Sequence, residues 1–305
     1  MPERWDVVVI GAGPAGLTAA EVAGSHGLRC LCIDRLAPGG ELINLGRLHD
    51  YPDGPPETTG TDLAATLSDA AIAAGVELGF GEVSELQRGE DWRVVTGDET
   101  HRARAVIVAT GLAPGSLGVA DEERFEGLGL SHCASCDGPL YRGDSVVVAG
   151  AGRWAIQDAI DLAGLAGRVA LICPDEAGLP SGERAAKLAE LPNVTVTAGR
   201  IVGLEGADGL EAVIVERGAR EKRPARAVFV QSNRRAALGF AADVLAMDAL
   251  GRARVDGDLC TSDPRAYAAG DVRAGAPEQI ASAIADGQRA GLAVARLLKG
   301  KEGAE

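Results

Sequence analysis

The sequence predicts an α/β fold built on parallel sheets, in two domains with the second inserted into the first. Three observations predict it. Short β-branched runs alternate with longer alanine-rich stretches along 305 residues, the pattern of strands separated by helices. A strand that ends in a glycine turn and leads into a helix and a second strand occurs twice, about 140 residues apart. The end of the chain supplies one more strand, turn and helix, which complete the first of these units.

The elements follow in order. Asp6 to Ile10 is an apolar strand ending in Gly11-Ala12-Gly13-Pro14-Ala15-Gly16, and after a helical stretch Arg29 to Ile33 is the next strand, closed by Asp34. Here G-x-G-x-x-G stands between a strand and a helix, which gives each glycine a task. Gly11 permits the tight turn, Gly13 lets backbone approach a pyrophosphate, and Gly16 lets helix and strand pack closely. Pro14 suits the first helical turn, whose free N–H groups and dipole attract phosphate. Asp34, 23 residues after Gly11, can accept from a ribose hydroxyl and would repel a 2′-phosphate. That pattern points to FAD or NAD rather than NADP.

The second unit runs from Ser145 to Ala149 through Gly150-Ala151-Gly152-Arg153-Trp154-Ala155 to a strand over Arg168 to Ile172. Near the end, Tyr267 to Asp271 reads as a strand entering a turn. Gln279 to Leu298 reads as a long helix, with Pro277 and Glu278 suited to its first turn and Lys299-Gly300 closing it. The expected domains are therefore residues 1–114 with 241–305, and an inserted 115–240. Residues 303–305 are expected to fray.

Composition narrows the function. The 46% apolar and 24% charged residues can build real cores. Asp and Glu number 44 against 30 Lys and Arg, a net charge of −14 that disfavours nucleic-acid partners. No apolar run reaches the roughly 20 residues of a membrane span, and no signal peptide is expected before the first strand. Six cysteines in such a chain suit a reducing compartment, so a cytoplasmic location is expected. There, the close pair Cys133-Ala134-Ser135-Cys136, followed by Asp137, reads as a redox dithiol. A zinc site would need further ligands, and Cys30, Cys32, Cys173 and Cys260 do not supply them. No metal is expected. Asp137 is placed to move a proton as thiolates form, and His132 is read as a solvated loop side chain that could lower a thiol pKa.

A GAGPAG turn, a CASCDG pair and a second nucleotide unit directly after it together resemble the low-molecular-weight thioredoxin reductase family. The resemblance spans nearly the whole chain and extends to Gly39-Gly40-Glu41-Leu42, Ala109-Thr110-Gly111 and Ala269-Gly270-Asp271 followed by Glu278-Gln279. It implies two Rossmann-like, three-layer ββα domains, bound FAD and a homodimer. Gly11, Gly13, Pro14, Ala15, Gly16 and Asp34 would hold the adenosine half of FAD, with Gly40, Glu41, Leu42, Ala109, Thr110 and Gly111 also around the cofactor. Gly270 and Asp271 would bind the ribitol. Gln279 and Ile280 would open a helix toward the flavin, where a positive helix end stabilises the reduced anion. Asp50 falls where the family has an Asn on the flavin, and Glu278 replaces an Arg, which would make the flavin's surroundings more negative. Cys136 would face the flavin, Cys133 the substrate, and Asp137 would be the acid/base.

The second unit departs from that family. Where NADPH-using members carry a basic cluster for the 2′-phosphate, this chain has Cys173-Pro174-Asp175-Glu176. Arg153-Trp154 replaces a small polar pair on the pyrophosphate turn, and Gln231 to Arg235 replaces a Gly-His-x-Pro stretch. These changes disfavour NADPH. NADH stays compatible, since Gly150, Gly152 and Ala155 are retained. The leading expectation is an FAD-dependent dithiol/disulfide oxidoreductase whose other electron partner is oxygen or ferredoxin, acting on a small dithiol or disulfide or on a thioredoxin-like protein. The alternatives are an NADH-dependent reductase of such a disulfide, and a flavin-bearing sensor with a vestigial pair.

Overall fold

The computed structural model describes residues 4–300 apart from 47, 49, 50, 52, 53, 56 and 98. The chain divides into two compact units, residues 1–113 with 235–305 (unit 1) and residues 114–234 (unit 2). In unit 1, β1 (Arg4–Ile10) turns into α1 (Pro14–Ser25) and returns in β2 (Cys30–Asp34). Then come α2 (Gly60–Ala73), β3 (Glu77–Phe80) and the meander β4 (Val83–Gln87), β5 (Trp92–Thr96) and β6 (Glu99–Val108). Unit 2 opens with β7 (Leu130–Ser131) and α3 (Ala134–Asp137), followed by β8 (Ser145–Ala149), α4 (Gly152–Ala163), β9 (Arg168–Cys173), α5 (Gly182–Ala189) and β10 (Val194–Ala198). A separate ribbon of β11 (Arg200–Glu205), β12 (Ala212–Arg217) and β13 (Ala219–Pro224) precedes β14 (Ala227–Val230). The chain then re-enters unit 1 for β15 (Ala266–Ala268) and α6 (Ile280–Lys299).

Each unit has the Rossmann-like arrangement. In unit 1 the strands run β3-β2-β1-β6 in parallel, β15 joins β6 in parallel, and β5 and β4 continue antiparallel. In unit 2 the order β10-β9-β8-β14-β7 is parallel throughout, and the ribbon forms an antiparallel sheet of three. Alternation along β1 explains the layers. Val7 and Val9 pack with Leu17, Ala290 and Val294 on the helical side, whereas Val8 and Ile10 pack with Trp92 and Val94 on the meander side. A central strand covered on both faces has to be apolar at every position.

The return crossing lies earlier than the residue-240 boundary expected from sequence. Ala113 donates its N–H to Arg235 O at 2.7 Å, Leu112 bridges Ala236, and Leu238 and Ala241 bury in the core beside Trp92. Residues 235–240 therefore belong to unit 1. The final helix also starts later than Pro277: Gln279 is its N-cap, and Glu278 has φ 56°, outside helical geometry. Residues 303–305 lie outside the described residues, and no helix among the described residues is long and apolar enough to cross a membrane.

α1 packs on α6 through small residues. A Cβ on Gly291 would lie 2.8 Å from the Ala19 carbonyl oxygen, and one on Gly287 would overlap the Ala15 carbonyl oxygen. Neither neighbour is a side chain that can swing away. Gly287→Val should therefore lower unfolding free energy by about 1–3 kcal/mol or more through overpacking. Gly239→Ala, where a Cβ meets nothing within 4 Å, should be near neutral. Denaturant midpoints of the two variants check this pair, and equal midpoints would refute the close-packed reading.

Candidate active site

The first glycine turn is shaped by backbone contact. Gly11 has φ 100°, and a Cβ there would lie 2.5 Å from Ala109 O and 2.9 Å from Thr110 Cα. A Cβ on Gly16 would overlap the Gly11 carbonyl oxygen. Gly39 donates to Ala12 O at 2.7 Å, and a Cβ on Gly40 would sit 3.1 Å from Gly13 Cα, so the short 3-10 turn Gly40–Asn44 leans on the glycine turn. Leu42 in that turn is buried with Ile280, the first residue of α6, which joins the Gly40-Glu41-Leu42 segment to the helix opened by Gln279. Gly270 packs on α1, a Cβ there lying 2.9 Å from the Ala15 Cβ, and with Asp271 it forms the 3-10 turn after β15. The glycines of the turn, Gly40, Leu42, Ala109, Thr110, Gly270 and Ile280 are thus gathered around one helix start. Asp50 lies outside the described residues.

The fit to a dinucleotide can be tested on this cradle. No side chain caps α1, no acidic residue stands in its first turn, and a Cβ on Gly13 would point into open space. Bare N–H groups and a positive helix end suit a pyrophosphate there. Asp34 holds the opposite edge: its Oδ2 accepts from Ala12 N at 2.8 Å and its Oδ1 from Leu36 N at 3.0 Å. Each oxygen keeps a lone pair for a ribose hydroxyl. Thr110 is used differently, since its hydroxyl donates to Ala237 O at 2.9 Å and ties the two chain crossings of unit 1 together.

Two ion pairs brace the α6 side, and sequence reading missed both. Arg273 clasps Asp286 of α6 with Nε to Oδ2 at 2.5 Å and Nη2 to Oδ1 at 3.0 Å, while Gly270 N donates to the same carboxylate at 3.1 Å. Glu278 pairs with Arg252. The expectation that Glu278 adds negative charge near the flavin is therefore corrected, because its carboxylate is neutralised within unit 1. Only the long separation of Arg252 and Glu278 in sequence hid that pairing.

Unit 2 carries the cysteine pair. Cys133 and Cys136 form a disulfide with 5.3 Å between Cα atoms. Cys133 Sγ accepts from Cys136 N at 3.1 Å and lies 3.5 Å from the Ser135 hydroxyl, so donors already face the sulfur that would carry thiolate charge on reduction. Asp137 Oδ2 accepts from the Ser131 hydroxyl at 2.6 Å. Its charge, after burial, also holds the Tyr141 phenol above its usual range. His132 is not the solvated side chain that was expected. Its Nε2 lies 3.1 Å from Glu126 Oε1, and its Nδ1 is buried without a partner among the described residues. The remaining cysteines fit the packing role: Cys30, Cys32 and Cys173 are buried and burial pushes their thiols up, and the half-buried Cys260 is shifted the same way. Among the described residues no three His, Cys, Asp or Glu side chains converge as metal ligands.

The second glycine turn keeps its strand-end geometry, and a Cβ on Gly152, like one on Gly13, would meet nothing within 4 Å. A Cβ on Gly150 would lie 2.8 Å from the Gln231 backbone, so that glycine serves strand packing. Trp154, in the first turn of α4, has two guanidinium groups near its ring, Arg153 at 5.2 Å and Arg234 at 5.5 Å from its centroid. The loop after β9 folds onto the turn, with a Cβ on Gly178 reaching 2.9 Å from the Ala151 Cβ. Asp175 spends one oxygen on that loop, accepting from Gly178 N at 2.9 Å. The residues present do not fit a 2′-phosphate, which would meet Asp175 and Glu176.

Comparison with known proteins gives one consistent family. The pyridine nucleotide-disulphide oxidoreductase family matches residues 5–287. A thioredoxin reductase of Listeria monocytogenes is 33% identical over 294 residues, covering 94% of this chain and 92% of its own. The crystal structure of Lactococcus lactis thioredoxin reductase superposes with a TM-score of 0.91 at 25% identity, covering 97% of this chain and 99% of the other. That of T. acidophilum thioredoxin reductase gives 0.90 at 27% identity, covering 99% of both.

Behind the second turn, Asp158 of α4 is buried and accepts from Gln231 Nε2 at 2.8 Å. Burial raises its carboxyl from 3.8 to about 7, an effect that the Gln231 donor opposes and Asp161 reinforces. A raised folded-state value means that the protonated form is favoured on folding. The contribution of Asp158 is thus fully favourable below 3.8, is lost as pH rises through about 7, and is constant above. Asp158→Asn should raise the unfolding free energy above neutral pH by at most about 4 kcal/mol at 1.36 kcal/mol per unit, read as a higher melting temperature, and the gain should vanish at acid pH. A gain independent of pH would contradict this account.

Proposed function

The chain belongs to the pyridine nucleotide-disulphide oxidoreductases, in the low-molecular-weight thioredoxin reductase group, and we propose that it exchanges electrons between Cys133/Cys136 and FAD without using NADPH. It is a flavin-dependent disulfide oxidoreductase. The observation that carries the finer reading is a tryptophan, Trp154, in the first turn of α4, with the Arg153 and Arg234 guanidinium groups 5.2 and 5.5 Å from its ring. The carboxylates of Asp175 and Glu176, and the fold of Gly178 onto Ala151, support it further.

In this reading the cradle of Gly11, Gly13, Pro14, Ala15, Gly16 and Asp34 holds the adenosine end of FAD. Gly40, Glu41, Leu42, Ala109, Thr110, Gly111, Gly270, Asp271, Gln279 and Ile280 surround the rest. Bound FAD supplies a two-electron store. The chain's own groups do the thiol chemistry. Opening the Cys133–Cys136 bond adds two electrons and two protons to the pair, and closing it releases them. Cys133, whose sulfur accepts from Cys136 N, is the thiol that meets substrate; Cys136 exchanges with the flavin; Asp137 takes or gives a proton.

The substrate class is a small dithiol or disulfide, or a thioredoxin-like protein such as the Listeria relative's name indicates. The other electron partner is oxygen or ferredoxin. With oxygen, a substrate dithiol loses two electrons and two protons, and O2 takes them up as H2O2. NADH is the second reading, favoured by the retained Gly150, Gly152 and Ala155.

Anaerobic mixing of the flavin-loaded protein with each nicotinamide separates these readings. NADPH should leave the flavin colour unchanged, and prompt bleaching by it would overturn the proposal. Bleaching by NADH alone would select the second reading. Cys136→Ser should cut dithiol-dependent turnover at least about 100-fold, as expected when a covalent nucleophile is lost. Undiminished turnover would remove the pair from the reaction.

A further inference from the structure

We propose that Ser131 is a positioning residue of the redox site, one that fixes the Asp137 carboxylate through a hydroxyl anchored on the Cys133 backbone. This rests on the reading of Asp137 as the group that moves a proton.

Ser131 ends β7, pairs with Phe229 of β14 and is 4% exposed, so its hydroxyl sits on a rigid sheet edge away from water. A buried hydroxyl left without partners costs about 1–3 kcal/mol, so its bonding is informative. It accepts from Cys133 N at 3.1 Å and lies 2.6 Å from Asp137 Oδ2 but 3.4 Å from Cys133 O. The hydroxyl has one proton, and the short distance assigns it to the carboxylate, in the range of charge-assisted O–H···O⁻ bonds. Asp137 N in turn donates to Cys133 O at 3.1 Å. Both backbone polar groups of Cys133 are therefore tied to Asp137, one directly and one through Ser131.

That closed ring has a chemical consequence. A donor fixed on Oδ2 orients the carboxyl group and leaves Oδ1 to exchange a proton. When the disulfide opens, the S–S bond breaks and each sulfur gains one electron and one proton; when the dithiol closes, the same electrons and protons leave. The aspartate serves one of those two protons, and the serine sets where it stands. Other ionisable groups near the loop are His132, paired with Glu126, and Tyr141, which feels Asp137, Arg226 and Asp144.

The test uses flavin-loaded protein under anaerobic conditions with excess dithiothreitol, which gives up two electrons and two protons and closes to its cyclic disulfide. Flavin bleaching is followed across neutral pH for the parent, Ser131→Val, Ser131→Thr, Asp137→Asn and the Ser131→Val/Asp137→Asn double variant. Ser131→Val should slow bleaching about 10-fold and displace its pH dependence, within what positioned acid–base groups contribute. Ser131→Thr, which has the same shape as the valine variant but keeps the hydroxyl, should stay within about threefold of the parent, and the double variant should be no slower than Asp137→Asn. A parent-like rate and pH profile for Ser131→Val, or effects that multiply in the double variant, would overturn the assignment of Ser131 alone. An unchanged rate in Asp137→Asn would instead remove the acid/base reading on which it rests. If the valine variant does not fold, Ser131→Ala makes the same comparison.

Discussion

The start of α1 is held by backbone rather than by side chains, and unit 1 is organised around that fact. Gly16 rests on the Gly11 carbonyl, Gly11 on Ala109 and Thr110, Gly270 on Ala15, and Gly287 and Gly291 on the next turns of the helix. Each contact brings a glycine main chain to van der Waals distance of neighbouring backbone or, at Gly270, of the Ala15 methyl, which a Cβ would prevent. Packing of this kind has few rotamers to adjust, so it fixes the helix end in place. The same contacts carry function, because the bare N–H groups of the first turn can meet a pyrophosphate only where nothing else stands.

The two glycine turns of the chain show how far such a motif can be trusted. Both end a buried strand and both open a helix without a side-chain cap. In unit 1 the mouth is empty of side chains. In unit 2 the first helical turn carries a tryptophan with two guanidinium groups near its ring, and the loop after β9 leans on Ala151. Gly150 there answers to the Gln231 backbone behind it. A motif that packs a strand on a helix is kept for that reason whether or not its cofactor is.

Much of the fold was legible from sequence. The alternation of strand and helix, the doubled turn and the homeless last helix predict two Rossmann-like units, because periodicity and glycine spacing are local properties. The close cysteine pair that forms the disulfide was legible for the same reason. What was not legible depends on contacts between distant residues. Arg252 neutralises Glu278, Arg273 braces Asp286 and Glu126 orients His132, and neither partner in these pairs announces the other. The boundary at 234 was missed because residues 235–240 join unit 1 through backbone bonds and two buried side chains rather than through a recognisable element. Ser131 could have been noticed two positions before Cys133, yet only the geometry shows which proton it holds.

The packing of α1 on α6 has a temporal side. Unit 2 is whole once Arg234 has been made, whereas unit 1 lacks its last strand and helix until the chain reaches residue 299. On a ribosome adding about 5–20 residues per second, the inserted unit can fold while the outer one still shows the face of α1 that carries Ala15, Ala19 and Val22. The outer unit closes only when the far end of the chain arrives, a contact of nearly maximal sequence separation and of high loop-closure cost. Its nascent form is thus the one that has to be kept from the wrong partners during synthesis.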